Sequence, residues 1–449
     1  LSLSSREKIS PRASERAMRA IRCMVPYSEP QKNQRTTTKP SCSRRRHSPM
    51  TLRVVGVVLL CPPLARVTKA SPGSRDARRP LTSTEIGEYS ERGDVAGLRD
   101  ALASHFALTH RTLGDDAPVA LREALVAKGA GSHYTTAYKL DHDIEQLEYV
   151  ARESPWLRDD ALRRKIEEEA LPALKGIRAR VPSLRSLERT KGLYGFTPRD
   201  LEDAAEWYNR ATFTPDPKVD SPLCADRDWH VVERTYEENS VVVVDDVLSP
   251  RAFDALRELL LSSTVFFETK MPLVFGGYVG AVVEDGLHAT ALLQLADELR
   301  RNMPNVLNDH SLRYLWCYKY DARYQGIDVH ADEAAVNFNL WLTPDEANRD
   351  PGSGGLVVYL VKPPQSASLE EYNQRGAAFA ADLIAASNHA NVTVPYRANR
   401  AVMFDSALFH RTDAFHFKPG YRNRRINLTL LFGSMQKAPA LVPLDPHDD

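Results

Sequence analysis

The sequence predicts an α+β chain, with a helical front half followed by a β-sandwich or barrel. Three observations lead there. Apolar residues recur at helical spacing through residues 82–190, prolines crowd residues 214–230, and short strand-like runs follow one another from Leu312 onward. At 449 residues there is room for two or three domains.

The first 49 residues carry 12 Lys or Arg against 3 Glu, are rich in Ser and Pro, and show no apolar period. That composition buries too little apolar surface to fold, so a disordered basic leader is expected. Arg44-Arg45-Arg46 is otherwise a nuclear signal or a nucleic-acid patch. Met50 then opens a positive start, an apolar run from Val54 to Leu60 continuing to Ala65, and small residues at Ala70-Ser71. This is the pattern of a secretory signal peptide over residues 50–70. The run is shorter than the ~20 residues of a membrane span, so no transmembrane segment is expected. Translation from Met50 would address the protein to the secretory pathway (endoplasmic reticulum or secreted) and leave residues 1–49 as an upstream extension. An organelle transit peptide, with Arg75, Arg78 and Arg79 close behind, and a cytoplasmic protein are the alternatives.

Residues 82–213 read as a helical region. Thr84-Glu85-Ile86 opens a segment with Ile86, Tyr89, Val95, Leu98 and Leu102 on one side, broken at Gly93. Helices over Asp141–Arg152 and Asp159–Arg180 follow, the latter with Leu162, Ile166, Leu171, Leu174 and Ile177 inward. The charged residues between read as a solvated face, and the helices as a surface for a partner protein. His133 and His142 lack a carboxylate at ligand spacing and count as bystanders, as do His310 and His416. Pro215, Pro217 and Pro222 mark residues 214–230 as a linker.

The second domain is expected over 231–435, with a tail at 436–449. Val241–Val244 is a β-branched strand ending at Asp245-Asp246. Ser249 caps a helix that has Pro250 at its first position and runs through Leu261; another helix covers about 289–301. Strands are expected over Arg313–Tyr320, Val336–Leu342, Leu356–Val361, Ala401–Phe404 and Arg425–Phe432. Gly354-Gly355 fits a tight turn with positive φ. A helical insertion over Leu369–Leu383 interrupts the series, and residues 268–288 and 365–390 are expected as variable loops that choose the substrate.

Acidic and basic residues balance at 59 each, so the chain as a whole has no electrostatic case for nucleic acid. Beyond residue 71 only Cys224 and Cys317 remain, which excludes a disulfide framework and dithiol chemistry; both read as packing residues.

Two short stretches carry the chemistry: Val329-His330-Ala331-Asp332 and Phe404-Asp405-Ser406-Ala407-Leu408-Phe409-His410. Side chains at i and i+2 of a strand share a face. Two imidazoles and one carboxylate on one side of a metal leave the other positions open, which suits iron(II).

Tyr320, Gly326, His330-x-Asp332, Gly354-Gly355-Leu356, Phe404-Asp405, His410 and Arg425-Ile426-Asn427-Leu428-Thr429, in that order, resemble the iron(II)/2-oxoglutarate-dependent dioxygenase superfamily, most of all its prolyl-4-hydroxylase-like branch. The resemblance covers residues 240–435. It implies a double-stranded β-helix (jelly-roll) C-terminal domain behind an α-helical N-terminal region. It also implies that His330, Asp332 and His410 are the catalytic metal ligands. The distal carboxylate of 2-oxoglutarate needs a fixed cation with a planar fork. Arg425 is the first candidate, with Tyr320 and Asn427 as further cofactor contacts. The fifteen residues from His410 to Arg425 depart from the usual family spacing, so Arg422 and Arg424 stay open as alternatives. Arg424 falls on the opposite strand face. Arg411 and Asp413 read as residues that orient His410 or as rim charges. Trp341 reads as core rather than substrate platform.

The implied activity is hydroxylation of a C–H bond with Fe(2+), 2-oxoglutarate and dioxygen, with ascorbate as a candidate reductant. A peptidyl-prolyl or other protein side chain is the first substrate class and a small molecule the second; nucleic acid is not expected. From a different class comes a non-catalytic cupin-like barrel whose helical module binds a partner.

Overall fold

The computed structural model describes residues 81–107, 134–190, 192–270, 272–364 and 376–435. The leader, the signal-peptide stretch, His133 and the C-terminal tail therefore lie outside the described residues.

Thr82 and Glu85 close a capping box over the first helix, Ser83–Glu91. Gly93, at φ +63°, turns the chain into a second helix over residues 95–107. Ile86, Leu98 and Leu102 are buried in the same core as the central sheet. The expected single helical region thus divides in two, because these first helices pack on the strands. The later helices, Ala137–Arg152, Asp160–Lys165, Leu171–Arg180 and Pro198–Ala204, enclose a core of their own around Leu147, Val150, Ile166, Leu174 and Ile177. The continuous helix expected over Asp159–Arg180 is interrupted by a π turn at Ile166–Ala170. Pro172 follows directly. It lacks an N–H and its ring crowds the carbonyl four residues back, which the wider turn relieves.

Residues 214–230 are a fixed connection rather than a free linker. Leu223 N donates to Glu298 Oε2 at 3.0 Å, Cys224 N to the Val247 carbonyl at 2.8 Å, and a helix starts at Trp229.

The strands are β1 (Tyr134–Thr135), β2 (Tyr194–Gly195), β3 (Val241–Val244), β4 (Glu268–Thr269), β5 (Tyr278–Val282), β6 (Leu312–Tyr320), β7 (Val336–Trp341), β8 (Leu356–Tyr359), β9 (Asn391–Val394), β10 (Ala401–Asp405), β11 (His410–Thr412) and β12 (Arg425–Phe432). β1 and β2 form a small ribbon. The major sheet runs β3-β10-β7-β12-β6-β5-β4, and a minor sheet runs β11-β8-β9. All pairings are antiparallel. From β7 onward the chain crosses back and forth between the two sheets, with β8 and β9 as a hairpin in the minor one, the winding of a double-stranded β-helix, or jelly roll, so the architecture is α+β. Trp341, Leu356, Val358, Val394, Val402 and Phe404 pack between the sheets. Helices Pro250–Ser262 and Thr290–Asn302 cover the outer face of the major sheet.

One expected loop is corrected. Residues 268–288 contain β4, a short helix Pro272–Phe275 and β5, which extend the major sheet. Glycines dilute the alternation there. Gly280 is needed because a Cβ would stand 2.4 Å from Glu268 Oε2 and 2.7 Å from the Tyr318 ring. Of the helical insertion expected over Leu369–Leu383, the described part is the helix Gly376–Ala386, which runs three residues past the expected end; residues 365–375 lie outside the described set. Its Ala380 and Ile384 pack on Ala331 and Phe409, behind the His330 loop.

Candidate metal centre

His330 and His410 face each other as a single antiparallel bridge. His330 N donates to the His410 carbonyl at 3.0 Å and His410 N to the His330 carbonyl at 2.8 Å. Their ring centroids are 4.2 Å apart. Asp332, two residues on, is held by its N–H on the Ser406 carbonyl at 3.1 Å. Its carboxylate reaches His330 Nε2 at 3.8 Å and His410 Nε2 at 3.5 Å. Ala331, between the ligand-type residues, points the other way and is buried against the helix Gly376–Ala386. One atom from each of the three residues falls within 4.8 Å of the others, and among the described residues no other group of three acid, His or Cys side chains does so.

The tautomers are fixed. His330 Nδ1 lies 2.8 Å from the Asp328 carbonyl and His410 Nδ1 3.0 Å from the Leu408 carbonyl. A carbonyl only accepts, so each Nδ1 carries the proton and each Nε2 offers a lone pair to the shared centre. Burial, reinforced by the facing His410, lowers the His330 pKa to about 4, so this ring is neutral at physiological pH. Burial alone would raise the Asp332 carboxyl, but its interactions with His410 and His330 and the hydrogen bond from Asn337 outweigh burial and hold it below the usual range. Two imidazole nitrogens and an ionised oxygen donor fit a divalent metal with open positions.

The same inner face of the major sheet carries Arg425. It is buried, and its Nε and Nη2 donate to the carbonyls of Gly354 and Gly355 at 2.8 and 3.0 Å. Tyr320, Trp341 and Tyr396 surround its guanidinium, with ring centroids 5.0, 5.6 and 5.8 Å away. Among the described residues it makes no ion pair with a carboxylate. Burial, the largest influence, pushes the Tyr320 phenol up to about 12, so it stays a hydroxyl beside the cation. The Trp341 indole N–H and the Asn427 carbonyl oxygen are buried there with no hydrogen-bond partner. The cradle thus sets a cation beside a spare N–H donor, a pairing that suits a carboxylate. Gly354 has φ +88°, as the tight turn requires, whereas Gly355 is needed for close approach: a Cβ there would lie 1.9 Å from the Val394 carbonyl.

The alternative arginines are engaged elsewhere. Arg424, on the opposite face, pairs with Glu145 at 2.9 Å and Asp321 at 3.3 Å, and Arg422 pairs with Glu153 at 3.1 Å. Arg411 donates to the Tyr359 hydroxyl at 3.0 Å. Trp341 is fully buried and stacks on Tyr396 at 5.2 Å. His142 is buried between Phe266 and Tyr421.

The sequence reading missed Asn337 as a site residue. Asn337 Nδ2 donates to Asp332 Oδ2 at 2.7 Å. The available signal was an asparagine alternating through a strand that is buried on both faces.

No family model and no curated protein matches the chain. Solved structures do. One is a prolyl hydroxylase from Trichoplax adhaerens in complex with a hypoxia inducible factor oxygen degradation domain peptide fragment (14% identity, 46% of this chain, 89% of that chain, TM-score 0.31). Another is an oxidoreductase of the 2OG-Fe(II) oxygenase family from Burkholderia pseudomallei (11%, 48%, 95%, 0.31). A third is HygX from Streptomyces hygroscopicus with nickel, 2-oxoglutarate and hygromycin B bound (15%, 45%, 85%, 0.32). The likeness is to 2-oxoglutarate/iron(II) oxygenases. It spans less than half of this chain, and what the site can do follows from its own geometry.

Proposed function

We propose that the chain is an iron(II)- and 2-oxoglutarate-dependent dioxygenase that hydroxylates a C–H bond. One observation carries the reading. Two Nε2 atoms and a carboxylate converge on one point, and a buried arginine that has no acidic partner among the described residues stands on the same sheet face. Iron(II) with 2-oxoglutarate and dioxygen would supply the oxidation, with succinate and carbon dioxide as the co-products.

The rest belongs to the chain. His330, Asp332 and His410 hold the metal, with His410 braced by the Phe404 ring at 4.8 Å. Arg425, with Tyr320 and Trp341, receives the distal carboxylate and orients the cosubstrate, and Asn427 lines the same cradle. The apolar residues packed between the sheets keep water from that end. On the strands beyond β12, Tyr314, Trp316 and Tyr318 stay partly accessible in a row, with ring centroids 6.0 and 6.2 Å apart. An extended peptide laid along β6 would meet these rings in succession. This favours a peptidyl-prolyl or other protein side chain over a small molecule as substrate. Among the described residues no helix is long and apolar enough to cross a membrane. A start at Met50 would place the enzyme in the secretory pathway, where ascorbate would serve as reductant.

The test is succinate formation from 2-oxoglutarate by the iron-loaded protein, with His330→Ala beside it. Loss of substrate-independent turnover in the variant is expected, and equal turnover in both ends the proposal. Purified protein that binds no iron and shows no iron-dependent shift in melting temperature would instead be a non-catalytic barrel. A peptide pool screened for the gain of one oxygen atom would then identify the substrate.

A further inference from the structure

From Asn427, which lines the Arg425 cradle, a line of buried side-chain amides runs to the metal centre through Asn339 and Asn337, two residues with no assigned role. Asn427 Nδ2 donates to Asn339 Oδ1 at 2.8 Å and to Thr429 Oγ1 at 2.9 Å, and Thr429 Oγ1 donates to Asn339 Oδ1 at 3.1 Å. Asn339 Nδ2 donates to Asn337 Oδ1, and Asn337 Nδ2 to Asp332 Oδ2 at 2.7 Å. The pleat explains the alignment. Asn337 and Asn339 alternate on β7, Asn427 and Thr429 on β12, and Thr429 sits opposite Asn339 in the register.

The direction of the line is dictated from one end. An ionised carboxylate only accepts, so Asn337 must turn its NH2 toward Asp332 and its carbonyl toward Asn339. Asn339 must then donate to Asn337 and accept from Asn427 and Thr429. The spare acceptor is left at the far end, and Asn427 Oδ1 is indeed the buried atom without a partner. All four side chains are at most 6% exposed. An apolar floor would be cheaper than three buried amides, and the hydrogen bonds that join them hold the line rigid.

We propose that Asn337 and Asn339 are positioning residues for Asp332: Asn337 pins one carboxylate oxygen and so the plane of the ligand, and Asn339 acts on Asp332 through Asn337. The inference rests on the metal-site reading above. Neither residue touches the metal position.

Manganese(II) affinity of the full chain, measured by calorimetry or by the spin signal of the free ion, tests this without any turnover. Asn337→Leu should weaken binding by about 10–100-fold, the usual effect of removing a partner that orients a ligand. Asn339→Leu should weaken it as well, by about tenfold, although Asn339 makes no hydrogen bond to any of the three ligands. The deciding readout is the double variant. If Asn339 acts through Asn337, adding Asn339→Leu to Asn337→Leu costs nothing more, whereas a merely structural role would add its full effect. Unchanged affinity in Asn339→Leu, or additive losses, overturns the proposal. Asn339→Ser serves if the leucine variant does not fold, with the same criterion. Wild-type protein that fails to bind manganese(II) would overturn the metal-site reading itself, a distinct result.

Discussion

At the scale of single residues, adjacent arginines do opposite work because a strand turns alternate side chains to opposite faces. Arg424 faces the helices and is tied to Glu145 and Asp321; Arg425 faces the sandwich interior and, among the described residues, meets carbonyls and rings but no acid. Replacing Arg425 with Met should therefore remove the rise in melting temperature caused by 2-oxoglutarate and spare the rise caused by the metal alone. For the wild type, cosubstrate at about 100 times its Kd should add roughly 2.7 kcal/mol. Differential scanning fluorimetry reads both shifts, and a cosubstrate shift that survives in Arg425→Met would reject the role of this residue. The sequence made the triad legible because ligand types are few and their spacing on a strand is restrictive. It put Arg425 first but left Arg422 and Arg424 open, since the acids that engage those two, Glu145 and Glu153 at the helix Ala137–Arg152 and Asp321 just after β6, are far away in the chain. Asn337 was missed as a site residue for a related reason: an amide alternating through a strand does not declare its role until its partner is known.

At the scale of elements, the helix Ala137–Arg152 shows how a charge-rich face can be buried. Lys139, His142 and Gln146 are at most 3% exposed and point into the barrel side, where a solvated surface was expected. Helical spacing was read correctly, but which polar face meets another element depends on partners that local pattern does not contain. The partners here are Asp143, the Lys319 amine and the Tyr421 ring. Lys319 is itself buried, donating to the Tyr421 hydroxyl at 2.7 Å. Burial first, then the charges of Lys319, Arg424 and Lys139, hold His142 well below its ordinary pKa. Asp143, against its Nδ1 at 3.0 Å, is the facing acid. The folded state thus keeps the imidazole neutral where the unfolded chain would protonate it. Stability is then full above the unfolded pKa of about 6.5 and declines as pH falls below it, by up to roughly 1.4 kcal/mol per pH unit for one proton, until the folded pKa is reached. Melting temperatures from pH 7.5 to pH 5 should fall in the wild type and fall less in His142→Gln. Equal slopes for the two proteins would show that another group governs acid sensitivity.

At the scale of the whole molecule, the first two helices and the jelly roll form a single core. Ile86 and Leu102 are fully buried with strand residues such as Leu315 and Leu428. Ser90 Oγ accepts from the Leu312 N–H at 3.0 Å, and Gly87 lies so close that a Cβ would stand 2.8 Å from Ser311 Oγ. A boundary drawn at the proline-rich stretch therefore separates segments that share one apolar interior. Hydrophobic periodicity announces that a helix face is buried without saying against what, so the sequence predicted the helices and missed their place. The consequence is measurable far from the metal. Leu102→Ala removes a buried side chain from the common core and should cost about 2–5 kcal/mol, lowering the midpoint of the transition that also unfolds the jelly roll. Because Leu102 lies on the outer side of the sheet, the increment that saturating manganese(II) adds to the melting temperature should be the same in variant and wild type. Two separate transitions, with only the one insensitive to metal moved by the substitution, would show instead that helices 83–107 unfold on their own.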